Sequence, residues 1–449
     1  MFDREVLHYF QDWKSRKDRK PLVLRGARQT GKTSAVDLFA SQFDQYIYLN
    51  LEKAEDRKLF ERDYPFKELI DAIFYLKSKM KNAGETLLFI DEIQHSPRAV
   101  NLLRYFYEEA ASLYVVAAGS LSESLIDKKI SFPVGRVEYL AIRPCSFKEY
   151  LGAMGEENSL KILEEYPFPV YAHERLERLF KQYSLIGGMP QVVANYAHYQ
   201  DIVRLKILYD SLFVSYLDDV GKYARSSASE KVIRHIIQHG FAHASQRITF
   251  SGFGNSEYRS REVGEAFRLL EKTMLFKLIY PVVNTRLPMN VKFRSPRLQL
   301  VDTGLVNYLA GIQQEVFDSV MVENAWRGRI AEHVTGQELL AMESSVVADL
   351  HYWSREDPNT QSEVDFVYKY HDLVIPVEVK SGTSGRLRSL HQFIERAPHP
   401  YAIRFYSGMF RVEDAVTLSS KKYTLISIPF YLINQIDNIL SRIVGETSI

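Results

Sequence analysis

A glycine loop near the amino terminus constrains this chain more than any other segment. Residues Gly26–Thr33 read Gly-Ala-Arg-Gln-Thr-Gly-Lys-Thr and fit the pattern G-x-x-x-x-G-K-[ST] at every fixed position. Pro21–Arg25 predicts a short buried strand before the loop, and Ser34–Phe43 predicts a helix after it. A strand, a glycine loop and a helix start together direct backbone N–H groups and the helix dipole towards negative oxygens. The segment therefore predicts a phosphate-binding loop.

The residue types in the loop indicate how a nucleotide would be held. Lys32 is predicted to reach the β- and γ-phosphates, and Thr33 to place its hydroxyl on Mg²⁺. The predicted nucleotide-binding residues of the loop are Gly26, Arg28, Gln29, Thr30, Gly31, Lys32 and Thr33.

A second motif is an apolar run that ends in two acids, Leu87–Glu92. Asp91 is predicted to hold the Mg²⁺ shell next to Thr33, and Glu92 to polarise the attacking water. Phosphoryl transfer leaves the protein mainly positioning and charge neutralisation, which these groups supply together with Lys32. The two motifs together predict ATP hydrolysis with Mg²⁺.

The first third of the chain alternates predicted strands and helices. Continuously apolar strands in such an alternation are typical of a parallel sheet covered on both faces. Pro144–Ala242 is mostly helical in pattern, and Ile248–Leu278 predicts a strand-like start followed by two helices. The other elements predicted here are strands at Gln45–Leu51, Thr86–Ile90 and Leu113–Ala118, and helices at Leu59–Met80 and Pro97–Ser112.

Composition sets only loose limits. A chain of 449 residues favours about three domains. A net charge of +1 neither indicates nor excludes a nucleic-acid partner, because a basic face can hide in a neutral total. The single cysteine, Cys145, precludes an internal disulfide and suits a reducing compartment. With no signal-peptide order at Met1–Glu5 and no apolar run of about 20 residues, we expect a cytoplasmic protein without a membrane segment.

Two further polar residues are candidates for the nucleotide site. Ser120 follows an apolar strand and could contact the γ-phosphate, although a simple strand-exit turn is an equal alternative. Arg136 follows a loop and could stabilise transition-state charge, in its own subunit or in a neighbour's. A surface ion pair is the alternative for Arg136.

These motifs together resemble a known family, the prokaryotic AAA-like ATPases of archaeal type. The closest type within it carries a C-terminal domain of unknown function. The resemblance implies that Ser120 is the sensor position and that Pro190 lies near the adenine, in a lid motif. A helix-breaking turn is the alternative for Gly187–Pro190. The segments that carry the resemblance are the glycine loop, Phe89–Gln94, Ala118–Ser120, Gly135–Arg136, Arg143–Leu151, Ile186–Pro190, Tyr216–Tyr223 and Leu300–Leu305.

The C-terminal part carries a second set of charged residues. Glu363–Tyr368 and Leu373–Lys380 predict two strands joined by a turn. The two-residue period of a strand puts Glu378 and Lys380 on one face, and Asp365 can come level with them from the preceding strand. Two carboxylates can share a divalent metal, and a lysine beside them can orient water.

This D…E-x-K arrangement resembles the PD-(D/E)xK nuclease fold. The resemblance implies catalytic roles for Glu332, Asp365, Glu378 and Lys380, with Asp365 and Glu378 as ligands of a second divalent metal. Glu332 would come from a helix predicted at Arg327–Leu340; a helix at Ser384–Glu395 and a strand at Tyr401–Tyr406 complete the expected order. An ordinary edge strand, or the nuclease fold without its activity, are the alternatives.

Between these regions, Gln246–Tyr280 resembles a winged helix with a helix at Ser260–Lys272. Glutamates interleave with its basic residues, so a solvated face of mixed charge is the alternative to DNA contact. Candidate phosphate contacts are Arg259, Arg261, Arg268 and Lys272, with Lys292, Arg294 and Arg297 on the wing or beyond it.

The predicted fold class is therefore α/β. It comprises a P-loop parallel-sheet core at 1–150, a helical lid at 151–240, a winged-helix-like segment at 241–315 and a nuclease-like domain at 316–449. The predicted function is a Mg²⁺-dependent ATPase that acts on or binds DNA. The alternative is an ATP-dependent switch or scaffold whose C-terminal domain binds a partner or DNA without cleavage. ATP and DNA are the expected partners, and a homo-oligomeric ring is a further expectation from the resemblance.

Overall fold

The structure, a computed structural model, describes residues 2–119, 132–133, 135–311, 328–355, 362–382 and 387–445. Within these ranges the amino-terminal third forms a five-stranded sheet in the order β2-β3-β4-β1-β5. All of its pairings are parallel, as the alternating pattern predicted. Its strands are β1 (Leu22–Arg25), β2 (Gln45–Asn50), β3 (Thr86–Asp91), β4 (Tyr114–Ala118) and β5 (Glu138–Ala141).

Helices cover both faces of this sheet, because the central strands are apolar on both sides. Every residue of β3 and β4 is buried. Leu88 and Val115 belong to the hydrophobic core on one face, whereas Phe89 and Val116 belong to the core on the other. The flanking helices are α1 (Val6–Ser15), α2 (Lys32–Ala40), α3 (Ala54–Glu61), α4 (Phe66–Leu76) and α5 (Pro97–Glu109).

The single helical stretch predicted at Leu59–Met80 was wrong. Two helices occupy this region, and α3 ends at Glu61 before α4 begins at Phe66. Pro65 caps the start of α4, which is a position where a missing N–H costs nothing.

The segment predicted to be mostly helical is helical. The first of its helices starts at a capping box, in which Ser146 and Glu149 satisfy each other's backbone N–H groups. The helices are α6 (Phe147–Ala153), α7 (Glu157–Leu163), α8 (His173–Ile186), α9 (Pro190–Tyr199), α10 (Leu205–Tyr223) and α11 (Ser227–Gly240).

The region predicted to be a strand-like start and two helices differs from that expectation. One helix, α12 (Ser260–Lys272), is followed by strand β6 (Phe276–Val282). The aromatic and branched residues of Phe-Lys-Leu-Ile-Tyr-Pro-Val favour a strand, and five of these seven positions are buried. The chain continues through β7 (Arg297–Leu300) and α13 (Thr303–Leu309).

The second sheet joins this region to the C-terminal part. It has eight strands among the described residues, in the order β12-β13-β11-β10-β9-β8-β6-β7. β6 pairs antiparallel with β7 and parallel with β8, so one sheet contains strands from both sides of the domain boundary predicted after residue 315. The domain boundaries proposed from the sequence stay a prediction. The C-terminal elements are α14 (Arg329–Ala341), β8 (His351–Ser354), β9 (Glu363–Tyr370), β10 (Leu373–Lys380), α15 (Arg388–Ile394), β11 (Tyr401–Tyr406), β12 (Arg411–Val416), β13 (Lys422–Pro429) and α16 (Ile436–Gly445).

The order of helix and strands in the C-terminal part agrees with the sequence pattern. One hydrophobic core includes Tyr183 of α8, Phe267 of α12 and Ile403 of β11, so the helical region and the second sheet pack as one body. Short 3₁₀ helices lie at Ile93–His95, Val170–Ala172, Phe241–His243, Phe253–Asn255 and Phe430–Gln435. Of the helices in the described ranges, none combines the length and apolar character needed to cross a bilayer.

Candidate functional site

The glycine loop connects β1 to α2 and has the conformation that a phosphate cradle requires. Gly31 has a φ of 87° at the residue before α2, a left-handed conformation that glycine adopts without strain. A Cβ at Gly26 would collide with the carbonyl oxygen of Ile142. Thr30 is fully buried, and its hydroxyl donates to the carbonyl of Ala27 at 2.9 Å. The loop is therefore shaped by its own residue types.

Lys32 lies across this loop. Its Nζ donates to the carbonyl oxygens of Gly26 and Ala27, each at 2.9 Å. Burial lowers the pKa of Lys32 to about 8, against the opposing charges of Glu92 and Asp91. The ammonium is thus held inside the loop, where the sequence predicted a phosphate contact.

Thr33 and Asp91 meet beside the loop. The hydroxyl of Thr33 donates to Oδ2 of Asp91 at 2.9 Å, and the hydroxyl of Tyr48 donates to the same oxygen at 3.2 Å. Burial raises the pKa of the Asp91 carboxyl. A hydroxyl and a carboxylate next to a phosphate cradle are the hard oxygen donors that Mg²⁺ prefers, so the residues fit this ion. Sequence reasoning missed Tyr48, although it lies on the neighbouring strand opposite Phe89.

Glu92 occupies a strained position directly after β3. Its φ of 52° is left-handed, which is uncommon for a residue with a side chain. Nε2 of Gln94 donates to its carboxylate, and Glu92 lines the same cavity as Lys32. The structure therefore holds a carboxylate near the predicted phosphates. Ser120 lies outside the described residues.

The cavity above the loop has a volume of about 520 Å³, and part of its wall comes from the helical region. Pro190, the first residue of α9, packs against the loop: its Cγ lies 3.4 Å from the position a Cβ would take at Gly31. Asp219 and Lys222 of α10 form another part of the wall. Asp219 is paired with Arg28 of the loop, and Lys222 Nζ lies 2.8 Å from Asp219. The helical region therefore touches the loop directly.

Arg4 is a site residue that sequence reasoning missed. Its Nη1 donates to the carbonyl of Thr30 at 3.3 Å, and its Nη2 to the carbonyl of Arg143 at 2.8 Å. Nε forms an ion pair with Glu149 at 2.7 Å. This buried arginine braces the loop against α6. No sequence signal marked it, because it precedes every motif.

Arg136 lies away from this cavity. It precedes β5 and so lies at the amino-terminal ends of the parallel strands, whereas the glycine loop follows the carboxyl end of β1. Its Nε pairs with Glu108 of α5 at 2.7 Å. It is not among the residues that line the cavity above the glycine loop. A catalytic role in its own subunit is therefore not supported, and any role at a nucleotide would be at the site of a neighbouring copy.

The predicted C-terminal site residues do come together. The backbone N–H of Val379 donates to Oδ2 of Asp365 at 2.9 Å, which holds β9 level with β10. Lys380 Nζ donates to Oε1 of Glu378 at 2.6 Å. Glu332, on α14, shares with Asp365 a contact to one guanidinium, that of Arg297, at 3.4 and 3.3 Å.

Arg297 is the unexpected member of this cluster. The sequence suggested it as a phosphate contact on the wing or beyond it, but its side chain is only 13% exposed and is bound to acids. Burial, followed by the charge of Asp365, raises the pKa of both Glu332 and Glu378. Oε2 of Glu378 is buried without a hydrogen-bond partner. Arg297 is therefore an internal group in this structure.

The second divalent metal predicted at Asp365 and Glu378 is not supported. Among the described residues, no group of three or more His, Cys, Asp or Glu side chains is arranged to hold a metal ion. The guanidinium of Arg297 lies between Glu332 and Asp365, where carboxylates would have to converge on an ion. The donor set does not fit a preformed metal centre.

The interleaved glutamates of α12 have structural partners. Oε2 of Glu262 accepts from the backbone N–H of Arg259 at 2.9 Å, and Oε1 of Glu271 accepts from that of Leu278 at 2.9 Å. Arg261 pairs with Glu265 at 3.0 Å on the exposed face. The mixed charge of this helix is thus partly explained by capping and by its contact with β6.

Two segments noted in the sequence, Ile186–Pro190 and Leu300–Leu305, contact each other at the turn before α9. Oδ2 of Asp302 accepts from the backbone N–H of Gly188 at 2.6 Å, and Oδ1 accepts from that of Leu305 at 2.9 Å. Asp302 is fully buried, and burial raises its pKa to about 6. Gly187 has a φ of 74°, and a Cβ there would collide with Asp302. Asp302 therefore fixes the turn that leads to Pro190.

A buried polar junction joins three regions of the chain. Glu338 of α14 accepts from the backbone N–H of Phe147 at 3.0 Å, and one of its oxygens lies 2.6 Å from the hydroxyl of Tyr183. That hydroxyl is also 2.8 Å from the carbonyl of Cys145. Because Tyr183 has one proton to donate, a protonated Glu338 satisfies both contacts. Burial raises the pKa of Glu338 to about 8, in agreement with this arrangement.

Comparison with known families divides the chain into three parts. Residues 18–151 match a family described as AAA domain. Residues 177–316 and 327–431 match two families described as domains of unknown function, DUF8612 and DUF4143. The first match contains the glycine loop, Asp91 and Glu92.

Individual relatives are distant. An uncharacterized protein of Haemophilus influenzae is 26% identical over 182 residues, which is 38% of this chain and 40% of that protein. The chain therefore spans less than half the length of this curated relative.

Two solved structures share weaker similarity with the chain. C. elegans PCH-2 is 14% identical with a TM-score of 0.28, over 44% of this chain and 62% of that one. The Aeropyrum pernix ORC1 protein in complex with DNA is 13% identical with a TM-score of 0.29, over 71% of this chain and 95% of that one. Because both TM-scores are below 0.5, these similarities carry no conclusion about function.

Proposed function

We propose that this chain, whose amino-terminal part is an AAA-type P-loop domain, hydrolyses ATP with Mg²⁺ and couples the nucleotide to a DNA-binding C-terminal half. The observation that carries the ATPase assignment is the 2.9 Å hydrogen bond between Thr33 and Asp91 beside the loop that holds Lys32. In this arrangement a metal site, a cation for the phosphates and a carboxylate for water share one cavity.

Each residue has a distinct task in this proposal. Thr33 and Asp91 would hold Mg²⁺, which supplies charge neutralisation at the phosphates when it is bound. Lys32 neutralises phosphate charge from within the loop. Glu92, oriented by Gln94, accepts a proton from the attacking water. Pro190 lines the cavity beside the loop and would lie near the base.

A phosphate-release assay tests the ATPase assignment. The full chain with Mg²⁺ and ATP is expected to release phosphate, and chelation of Mg²⁺ or the substitution Asp91→Asn is expected to abolish release. Glu85→Gln is a suitable control, because Glu85 directly precedes β3 and lies at the opposite end of that strand from Asp91. Turnover that survives both chelation and Asp91→Asn would refute the site.

The loop between β6 and β7 supports a DNA partner. Phe293 is 81% exposed in this loop, and it is flanked by Lys292 and Arg294. Exposed aromatic side chains between cations suit nucleic acid, because bases stack on the ring while the cations contact phosphates. Arg259, Arg261 and Arg268 of the neighbouring α12 region are also exposed. DNA binding is therefore proposed for this face.

A PD-(D/E)xK nuclease-like fold is proposed for the C-terminal domain. The succession of α14, β8, β9, β10, α15 and β11 supports it. So does the convergence of Asp365, Glu378 and Lys380 from two adjacent strands.

A nucleotide-dependent switch is the second candidate function. It is favoured by the contact of Pro190 with the glycine loop and by the hydrogen bond of Asp302 to the turn before it. In this proposal ATP binding rearranges the helical region and the C-terminal half recruits DNA or a partner. Light scattering with a non-hydrolysable ATP analogue and with ADP tests it. A large difference in size combined with slow turnover supports the switch, and equal sizes count against it.

A further inference from the structure

Arg297, the first residue of β7, is bound to three acids at once. Its Nη1 contacts Oε2 of Glu332 at 3.4 Å and Oδ1 of Asp365 at 3.3 Å, and its Nη2 contacts Oε2 of Glu363 at 3.0 Å. The same Nη1 also donates to the backbone carbonyl of Asp365 at 3.4 Å. A guanidinium offers five N–H donors in one plane, which suits several carboxylates better than a lysine would.

The arginine is fixed by its surroundings. Its guanidinium carbon lies 4.8 Å from the centre of the Tyr352 ring, which is fully buried. The Tyr352 hydroxyl donates to the carbonyl of Ser295 at 2.8 Å and accepts from Nε of Arg247 at 2.9 Å. Arg247 in turn forms an ion pair with Glu363 at 2.6 Å. The side chain therefore cannot leave without breaking a connected set of contacts.

The charges of the cluster nearly balance without any added ion. Its acids are Glu332, Glu363, Asp365 and Glu378, and its bases are Arg247, Arg297 and Lys380. A divalent cation added to this set would create an excess of positive charge in a partly buried place, which is costly. One carboxylate oxygen of the cluster is left unpaired: Oε2 of Glu378 is buried and has no hydrogen-bond partner.

We propose that the guanidinium of Arg297 is the resident cation of this carboxylate cluster, in the place that a nuclease of this fold gives to a divalent metal. The inference rests on the nuclease-like fold proposed above, but not on ATP hydrolysis. While Arg297 is in place, the cluster ties β7 to β9 and α14 and takes up no divalent ion. Removing the arginine frees the carboxylates of Glu332 and Asp365 from their ion pairs. Together with the unpaired Oε2 of Glu378 they then offer oxygen ligands to a divalent metal.

Manganese binding followed by electron paramagnetic resonance tests this, with the full chain, no nucleotide, and Asp91→Asn in every protein to remove the ATPase metal site. The protein with Arg297 intact is expected to bind no Mn²⁺ at the cluster. Arg297→Ala is expected to gain one bound Mn²⁺ per chain, and adding Asp365→Asn is expected to remove that site. Arg294→Ala, an exposed arginine of the preceding loop, is the matched control and should gain nothing.

The outcomes separate cleanly. Mn²⁺ binding by the protein with Arg297 intact, if lost on Asp365→Asn, overturns the inference, and this comparison stands even when Arg297→Ala fails to fold. A folded Arg297→Ala protein that binds no Mn²⁺ also overturns it, because the arginine would then not be what excludes the metal. Phosphate release is measured separately with Asp91 intact, so failure of the ATPase proposal leaves this result unaffected.

Discussion

The carboxylate of Asp302 accepts a hydrogen bond of 2.6 Å from the backbone N–H of Gly188, two residues before Pro190 in the nucleotide cavity. Asp302 follows β7 by two residues, and β7 begins with Arg297 of the carboxylate cluster. One short strand therefore connects the turn at the nucleotide cavity to the C-terminal site. Because the Asp302 side chain is fully buried, loss of this hydrogen bond should lower the free energy of unfolding measurably.

Asp302→Asn should weaken both folding and nucleotide binding. Each carboxylate oxygen accepts a backbone N–H, whereas asparagine has one acceptor and would point its NH₂ group at a donor. An unsatisfied buried group costs about 1–3 kcal/mol in free energy of unfolding. Urea unfolding and fluorescent ATP-analogue titration measure the two effects, with severalfold weaker binding expected. Asp210→Asn is the control, because its amide oxygen can still accept the exposed hydrogen bond from the Tyr308 hydroxyl. An unchanged nucleotide affinity would separate Asp302 from the cavity.

Lys32→Ala should remove the charge that the glycine loop presents to phosphates. Turnover is expected to fall about 100-fold or more, in the range seen when one stabilising donor is removed. Steady-state phosphate release measures it, with Lys206→Ala on the exposed face of α10 as the control. Wild-type turnover in Lys32→Ala would contradict the assignment of the loop.

Glu92→Gln should separate ATP binding from hydrolysis. The amide keeps the shape of the side chain but cannot accept a proton, so hydrolysis should slow by about 100-fold while nucleotide affinity is kept. Gln94→Ala removes the donor that orients Glu92 and should give a smaller loss. Single-turnover hydrolysis and analogue titration make the comparison. Rapid hydrolysis by Glu92→Gln would show that a group other than Glu92 accepts the proton of the attacking water.

Glu338 should make stability depend on pH. Its pKa rises from the ordinary 4.5 to about 8 on folding, so the folded chain keeps a proton that the unfolded chain has lost. The free energy of unfolding is therefore highest below this window and falls by about 1.4 kcal/mol per pH unit as pH rises through it. Glu338→Gln cannot titrate and should reduce the slope by that amount, while other carboxyls with a raised pKa, such as Asp302, keep their own contribution.

Urea unfolding at several pH values across the window measures this effect. Glu257→Gln, at an exposed position, is the control and should keep the wild-type slope. Equal slopes for the wild type and Glu338→Gln would show that the junction holds an ionised carboxylate.

Phe293→Ala should weaken DNA binding without affecting the fold. Stacking of a base on an aromatic side chain contributes about 1–3 kcal/mol, so binding of a single-stranded oligonucleotide should weaken by about tenfold or more. Fluorescence anisotropy measures it at fixed salt. Tyr75→Ala, which removes a similarly exposed ring on α4, is the control. Equal loss in both variants, or no loss in either, would remove the loop from the binding face.

Local sequence patterns predicted those parts of the fold and the site whose geometry depends on residues close together in the sequence. The glycine loop and the acids after β3 are short motifs with fixed geometry, and the turn between β9 and β10 separates two clear strand patterns. These residues could therefore be placed before the structure was known. The hydrogen bond between Val379 and Asp365 follows from the register of that hairpin.

Contacts between distant segments could not be predicted in the same way. The pairing of β6 with β8 joins residues 280 and 351, and no periodicity in either strand specifies that partner. Arg297 looked like a surface cation because its own segment is basic, yet three acids from two other elements, α14 and β9, surround it. Arg4 pairs with Glu149, which lies 145 residues later in the chain. Such partners become visible only when the chain is folded.

The position of β6 and β7 at the end of the C-terminal sheet has a consequence for the expression of fragments of this chain. A gene fragment that begins after residue 316 would encode β8 without the strand that pairs with Tyr352 and Trp353. The bare edge would offer open N–H and C=O groups to other chains, which is a route to aggregation. It would also leave Glu332, Glu363 and Asp365 without their arginine. The segment matched at 327–431 is therefore smaller than the sheet to which it belongs, and a fragment cut at its boundary is expected to express as aggregate.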